Sequence, residues 1–210
     1  MAAFDLQEQE QIAELKAWWA QWGKLVMAVI AAIVIGYLGS MGWKLWQKSQ
    51  AGGAADAYAA VEKAFDAKDP LKTRAAADAM AADYASHALS ARAMLLAAKA
   101  AHDGKDLAKA RTALEWVAGN AKEEAIIDIA RLRLSAVLLD QKQYDAALKA
   151  VDAPQAEGFA ALFAEARGDA LTLKGDAPAA KLAYQAALAK LGKEAPSRTL
   201  IETKLSALGV

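Results

Sequence analysis

The stretch that decides the fold is LRLSAVLLDQKQYDAALKAV, residues 132–151, together with a later stretch that matches it, ARGDALTLKGDAPAAKLAYQAAL, residues 166–188. The two stretches superimpose at an offset of 33 residues. The aligned positions are Ser135, Leu138, Lys142, Tyr144, Ala147 and Val151 on Gly168, Leu171, Gly175, Ala177, Ala180 and Tyr184. A third copy, AAKAAHDGKDLAKARTALEWV, residues 97–117, fits 37 residues before the first. Alanine, leucine and lysine dominate each copy and favour helix, so the chain contains an internal repeat of helix pairs.

A period near 34 residues with two helices per unit resembles the tetratricopeptide repeat. The copy at residues 166–188 resembles that family most closely, and Gly175 and Asp176 make its turn. The resemblance implies that small residues pack between helices, which here are Gly168, Ala180 and Ala187, with Ala147 and Ala110 in the earlier copies. The copy departs from the family in having no Trp or Pro at the usual signature positions.

A helix pair cannot bury its apolar face alone, so repeats must stack on their neighbours. About three repeats with end helices would fill residues 54–210, and we expect an all-α solenoid there. Residues 54–84 are predicted to form a divergent first pair, and residues 198–208 a capping helix. The expected core residues of these two ends are Tyr58, Val61, Phe65 and Leu71 in the first pair, and Leu200, Ile201, Leu205 and Leu208 in the cap.

The N-terminal quarter of the chain carries an uncharged apolar run, LVMAVIAAIVIGYLGSMGW, residues 25–43. Nineteen helical residues rise about 28 Å, close to the thickness of a bilayer's hydrocarbon core. Tryptophan settles at membrane interfaces. Five of the six tryptophans bracket the run as candidate interfacial anchors: Trp18, Trp19, Trp22, Trp43 and Trp46. The sequence therefore predicts an interfacial helix within residues 1–24, a single transmembrane helix at 25–46 and a short linker at 47–53.

A cleaved signal peptide is the alternative interpretation of this run. Signal h-regions are usually shorter, about 7–15 residues, and end in a small-residue cleavage site. Here the small pair Ser49 and Ala51 lies behind the flank GWKLWQK. Lysines balance on the two sides of the span, so the positive-inside rule does not give the orientation.

One stripe of the predicted span is built from small residues: Ala28, Ala32, Gly36 and Ser40. Small residues let another helix approach closely in lipid, which indicates a face for a partner helix. Because Ala and Gly are common in membrane spans, an ordinary composition effect is the alternative.

The composition limits the classes of function. The chain has 210 residues, 25 basic and 25 acidic, so it lacks the basic surface of a nucleic-acid binder. It has no cysteine, and His87 and His102 are its only histidines, with no catalytic or metal-binding spacing around them. No phosphate-binding, dinucleotide-binding or EF-hand motif occurs. We therefore expect no enzyme, no cofactor and no small-molecule substrate, and we interpret Arg167-Gly168-Asp169 as part of a helix.

The surface expected to carry function is the groove that the first helices of stacked repeats line. The tetratricopeptide resemblance implies that the middle repeat presents Ile129, Leu132 and Leu139 there, with Asp128, Arg133 and Asp140 at or near the rim. It implies that the last repeat presents Leu162, Glu165, Asp169 and Thr172. The alternative is that Ile129 and Leu132 belong to the core.

Taken from end to end, the sequence resembles the YfgM-like family, whose members are ancillary subunits of the bacterial SecYEG translocon. The residues that carry the resemblance are LKAWWAQWGK at 15–24, GWKLWQK at 42–48 and DAALKAVDAPQAEGFAALFAEARGDALTLKGD at 145–176.

The resemblance implies a single-pass protein of the inner membrane with a cytoplasmic N-terminus and a periplasmic repeat domain. It implies contact with the translocon and with a membrane-anchored periplasmic chaperone of the prolyl-isomerase type. The role would be to help pass secretory proteins to periplasmic chaperones. A link to a regulator of the envelope stress response, with the chain as a membrane-tethered scaffold, is the alternative.

Overall fold

The computed structural model of the chain describes residues 2–192 and 194–209, and side chains at 10–44, 51–192 and 194–209. Over those residues the chain is all-α, as predicted, with nine α-helices, one 3-10 turn and no strand. The helices are α1 Ala2–Asp66, α2 Pro70–Asp83, α3 Ala88–Asp103, α4 Leu107–Asn120, α5 Glu124–Asp140, α6 Tyr144–Ala150, α7 Ala160–Lys174, α8 Ala177–Lys190 and α9 Arg198–Ala207, with the 3-10 turn at Glu157–Phe159.

The chain divides into two units by its internal contacts, Met1–Ala51 and Gly52–Val210. The first unit is helical, and its segment Glu10–Lys44 is long and apolar enough to cross a membrane. Residues 47–53, which the sequence predicts as a linker, are helical as well. Gly52 and Gly53 cost a helix about 1 kcal/mol each relative to alanine, but alanines flank them and no proline interrupts the run.

The second unit is a series of helix pairs. Each helix from α2 to α9 packs against the next, and the first helices of neighbouring pairs also meet, α3 with α5 and α5 with α7. This double set of neighbours is the packing expected of stacked repeats, in which every unit buries its apolar face against the next.

The turn inside each pair has the same construction in all four pairs. Lys68, Lys105 and Lys142 adopt left-handed φ angles of 53°, 62° and 60°, and Gly175 has φ 89° at the equivalent place. Each is followed by a backbone N–H that donates to a carbonyl five residues earlier, as from Asp69 to Ala64. Aspartates at three of these turns, Asp69, Asp106 and Asp176, then cap the next helix by accepting from a backbone N–H. The first pair, at residues 54–83, therefore shares the repeat's turn.

The main core of the second unit runs from the first pair to the third and includes Ala170 of α7, and a small separate cluster joins α8 to α9. Val61 and Ile201 are fully buried, as predicted, while Tyr58, Phe65, Leu205 and Leu208 are half-buried. The prediction for Leu71 and Leu200 was wrong, because their side chains are 69 % and 54 % exposed. On α2 the buried stripe is Thr73, Ala77 and Met80, and Leu71 lies about 200° around the helix from Thr73. Leu200 lies about 100° from Ile201 in the same way.

The second helix of the third pair, α6, has 7 residues, whereas α4 and α8 have 14 each. The segment that follows α6 is held by two side chains of α5. Asp128, with no exposed surface, accepts hydrogen bonds from the backbone N–H groups of Gln155 and Ala156 at 3.0 and 2.8 Å. Arg131 donates to the carbonyls of Ala150 and Ala153 at 2.9 and 2.7 Å. The expectation that Asp128 lies at the groove rim was wrong. Its carboxylate is buried and accepts from two backbone N–H groups that the shortened α6 leaves without a helical acceptor.

Candidate functional site

A groove opens between the first helices of the second and third pairs. We call it the α3–α5 groove, and it encloses about 270 Å³. Its lining comes from α3, α4 and α5: Ala98, Lys99, His102, Asp103, Leu114, Arg133, Ala136 and Val137. Alanines on both walls leave the space, since larger side chains at Ala98 and Ala136 would fill it.

Most charges of the α3–α5 groove are already paired. Lys99 Nζ donates to Asp103 Oδ2 at 2.8 Å, and this hydrogen bond is the main reason that the pKa of Asp103 lies below its ordinary value. His102 Nε2 lies 3.4 Å from Asp140 Oδ2, so this pair links α3 to α5 across the groove. Arg133 is exposed, and the described residues give its guanidinium no hydrogen bond or ion pair.

The apolar groove residues predicted on α5 differ from the apolar residues that line this groove. Ile129 and Leu139 are half-buried and pack against the main core, and Leu132 is half-buried too. The lining residues of α5 are Arg133, which the sequence placed at or near the rim, together with Ala136 and Val137. The available signal was the spacing i, i+3, i+4 of these three residues, which Lys99, His102 and Asp103 repeat on α3.

In the last repeat, the predicted groove residues contact the capping helix. Lys204 of α9 donates to Glu165 Oε1 at 2.8 Å and to Asp169 Oδ2 at 2.9 Å. The Tyr184 hydroxyl donates to Asp169 Oδ1 at 2.8 Å. Both carboxylates are therefore satisfied within the chain, whereas Leu162 is 43 % exposed.

The residues predicted to pack the repeats lie in the interior. Ala110, Ala147, Ala180 and Ala187 have no exposed surface, and Gly168 is buried. A Cβ at Gly168 would lie 2.9 Å from Cζ of Tyr184 and closer still to two other ring carbons. Glycine at this position lets the Tyr184 ring lie directly against the α7 backbone.

The candidate span exposes its small stripe and its tryptophans. Ala28, Ala32, Gly36 and Ser40 are all exposed, and a Cβ at Gly36 would meet nothing within 4 Å. Trp18, Trp19, Trp22 and Trp43 are between 45 and 60 % exposed. The Trp19 ring also lies against Gly23, where a Cβ would approach it to 3.1 Å. The side chain of Trp46 lies outside the described residues.

The two histidines occupy structural places. His87 caps α3 by accepting from the backbone N–H of Leu89 at 3.2 Å, and His102 pairs with Asp140. Among the described side chains, at residues 10–44, 51–192 and 194–209, no group of three or more His, Cys, Asp or Glu is arranged to hold a metal ion.

Comparison with known proteins shows which family the chain belongs to. The family model described as a tetratricopeptide repeat-like domain matches residues 16–210. A Neisseria gonorrhoeae protein named ancillary SecYEG translocon subunit is 33 % identical over 207 residues, which cover 98 % of this chain and 99 % of the relative. The chain belongs to the ancillary SecYEG translocon subunit family.

Other members of this family are similar in part or throughout. The Haemophilus influenzae protein of the same name is 31 % identical over 185 residues, covering 88 % of this chain and 90 % of the relative. The Escherichia coli protein of that name is 42 % identical over 67 residues, or 32 % of each chain. The family model begins at Lys16 and so includes Trp18–Trp22 and the span as well as the repeats. The tetratricopeptide-like fold predicted from the repeats is thereby confirmed.

Proposed function

We propose that the chain is a membrane-anchored, non-catalytic interaction module of the SecYEG translocon, in which the helical repeats offer a docking surface to other proteins. The observation that carries the proposal is similarity over nearly the whole chain to a relative named as an ancillary translocon subunit. The similarity covers anchor and repeats together, so both parts belong to the same functional unit.

The architecture supports this role in physical terms. The segment Glu10–Lys44 can hold the chain in a bilayer, and its small stripe gives a neighbouring span a face on which to pack closely. The repeat unit provides the α3–α5 groove, with an apolar floor and a rim of charged side chains. Such grooves are suited to protein segments rather than to chemistry on a small molecule.

We further propose that the N-terminus is cytoplasmic and the repeat unit periplasmic. In that orientation the repeats meet secretory proteins as they emerge and help pass them to periplasmic chaperones, including a membrane-anchored chaperone of the prolyl-isomerase type. Protease added to spheroplasts checks the orientation. The repeat unit should be cut while an N-terminal tag stays protected, and protection of the repeat unit would refute the orientation.

Translocon association is checked by purification of the tagged full chain in mild detergent. We expect SecYEG to co-purify with the natural sequence and to be reduced in Gly36→Leu, since a leucine at this open position pushes a partner helix away. The matched control is Val34→Leu, which enlarges an exposed residue about 200° around the helix. Equal recovery of SecYEG with both variants would refute the assigned span face, and no recovery with the natural sequence would refute the association.

A further inference from the structure

A second hollow lies beside the α3–α5 groove, toward the C-terminal end of α3. It lies between the α1–α2 turn and the C-terminal end of α3, encloses about 680 Å³, and includes Phe65, Pro70 and Gly104 in its lining. Lys99 and Asp103 line both hollows, so the two are adjacent on this face of the repeat unit. Two adjacent hollows suit an extended segment better than a compact ligand.

The charges along the two hollows have an uneven distribution. Lys99 and Asp103 neutralise each other through their 2.8 Å pair. In the second hollow Asp66 and Lys68 have opposite charges and add no net charge. This leaves Arg133 on one wall of the α3–α5 groove, exposed and without a partner among the described residues.

Asp140, an acid on the same helix, forms no ion pair with Arg133 among the described residues. Seven residues separate them, which is about 10 Å along α5. The Asp140 carboxylate already contacts His102 Nε2 at 3.4 Å. Within the described part of the chain, Arg133 is therefore an unpaired positive charge in the lining of the α3–α5 groove, whose apolar residues include Ala98, Ala136 and Val137.

We propose that this groove binds an extended segment of an unfolded secretory chain in which an acidic side chain stands next to an aliphatic one. The guanidinium of Arg133 offers paired N–H donors to the carboxylate, a charge-assisted contact of high geometric specificity. The aliphatic side chain packs against the apolar walls of the groove, which encloses about 270 Å³. The inference rests on the proposed function, because it names the class of segment that the repeats would take from the translocon.

Direct binding of short probe peptides tests the inference. The full-length protein in detergent is titrated into fluorescein-labelled, N-acetylated and C-amidated Gly-Ser-Leu-Asp-Leu-Ser-Gly, and anisotropy is measured. Matched peptides carry Asn or Lys in place of Asp, and another keeps Asp but has Ser in place of both Leu. We expect the Asp-Leu peptide to bind roughly tenfold more tightly than the Lys peptide and than the peptide without leucine, a difference of about 1.4 kcal/mol.

The decisive variant is Arg133→Glu, with Lys149→Glu as the matched control. Lys149 is exposed on α6, outside the groove lining, so it changes the net charge by the same amount. Arg133→Glu should reverse the preference, so that the Lys peptide binds more tightly than the Asp peptide, while Lys149→Glu leaves the order unchanged. Ala136→Trp should abolish binding of every peptide by filling the groove, and Ala108→Trp, at an exposed position of α4, should not.

Equal binding of the four peptides, or an order that Arg133→Glu does not change, would overturn the inference. Co-purification of SecYEG is measured on the same protein preparations. If SecYEG co-purifies and the peptides show no preference, the groove assignment fails and the proposed function stands. If SecYEG does not co-purify but the peptide preference holds, the groove binds segments and the translocon role fails.

Discussion

Gly168→Ala is expected to destabilise the repeat unit, although alanine is ordinarily the better helix former. Gly168 lies within α7, where its replacement by alanine would gain about 1 kcal/mol from helix propensity alone. The added Cβ would instead meet the ring of Tyr184, with Cζ only 2.9 Å away. Contacts below 3 Å require one of the two groups to move.

The Tyr184 ring has little freedom to give way. It is 2 % exposed, and its hydroxyl donates to Asp169 at 2.8 Å and lies 3.2 Å from Thr172 Oγ1. Overpacking of a core costs about 1–3 kcal/mol, and each hydrogen bond lost if the ring moves costs about 1 kcal/mol. After the gain in propensity is subtracted, we expect a net loss of about 2 kcal/mol. That corresponds to a fall in the thermal midpoint of about 4–8 °C for a domain of this size.

The assay is thermal unfolding of the full chain in detergent followed by far-UV circular dichroism, with hydrogen exchange of α7 and α8 as a local readout. Gly119→Ala is the matched control, because Gly119 also lies in a helix, α4, and a Cβ there would meet nothing within 4 Å. It should raise the midpoint slightly. In a Tyr184→Leu background the cost of Gly168→Ala should largely disappear. An undiminished cost in that background would show that the ring is not its cause.

Three further predictions follow from the packing and the charges. Asp128→Ala should lower the free energy of unfolding by about 3 kcal/mol, because it leaves the amides of Gln155 and Ala156 without their acceptor, and hydrogen exchange of those two amides should accelerate. The control is Asp145→Ala, which removes a carboxylate paired with Lys174 at an exposed position and should cost under about 1 kcal/mol. Equal costs of the two variants would contradict the tethering role of Asp128. Burial lowers the pKa of Lys204, but the hydrogen bonds of Lys204 to Asp169 and Glu165 outweigh burial and raise this pKa above 10.5. The contribution of Lys204 to stability is therefore complete below pH 10.5 and is lost as the pH rises through the pKa of the folded state. Burial is the largest cause that raises the pKa of Tyr184 above 10.0. The thermal midpoint should therefore fall as the pH rises beyond about 10, and it should fall less in Lys204→Met and Tyr184→Phe. An unchanged dependence of the midpoint on pH in both variants would exclude this cluster as the cause. Leu71→Gln and Leu200→Gln should change stability by under about 0.5 kcal/mol, whereas Met80→Ala should cost about 2–5 kcal/mol, and a large effect at either leucine in the same denaturation assay would mean that it packs in the interior.

The helix boundaries could be predicted from the sequence because turn residues stand at nearly every one. Asp69-Pro70, Asp103-Gly104 and Gly175-Asp176 each separate two helices as expected. The relation of the first pair to the later repeats was harder to see. Its turn contains Lys68-Asp69 and the next contains Lys105-Asp106, an identical dipeptide 37 residues on. Lysine is an unfavourable residue for a left-handed φ, so this shared turn carried no obvious signal.

The groove was harder to predict than the fold because it depends on empty space. The tetratricopeptide pattern drew attention to Leu132 and Leu139, but large apolar residues tend to fill volume. The small residues Ala98 and Ala136, which belong to different helices, both line this space. Sequence spacing gives the face of one helix and does not give its distance from the next.

Pairings between distant residues were also beyond sequence reasoning. Lys204 contacts Glu165 and Asp169 across 39 and 35 residues, and this contact removes two carboxylates from the surface expected to bind partners. The burial of Asp128 could not be predicted from the sequence for a similar reason. An aspartate is ordinarily a surface residue, and only the shortened α6 makes its burial favourable, by leaving backbone N–H groups that need an acceptor.

In-cell photo-crosslinking from two positions tests the central claim most directly. One photoreactive residue replaces Ala32 on the small stripe of the span, and the other replaces Ala136 in the α3–α5 groove, with Ala108 on α4 as the control position. The account predicts a crosslink from Ala32 to a subunit of SecYEG and crosslinks from Ala136, but not from Ala108, to secretory proteins in transit or to a periplasmic chaperone. The absence of translocon crosslinks at Ala32 together with identical patterns at Ala136 and Ala108 would contradict it.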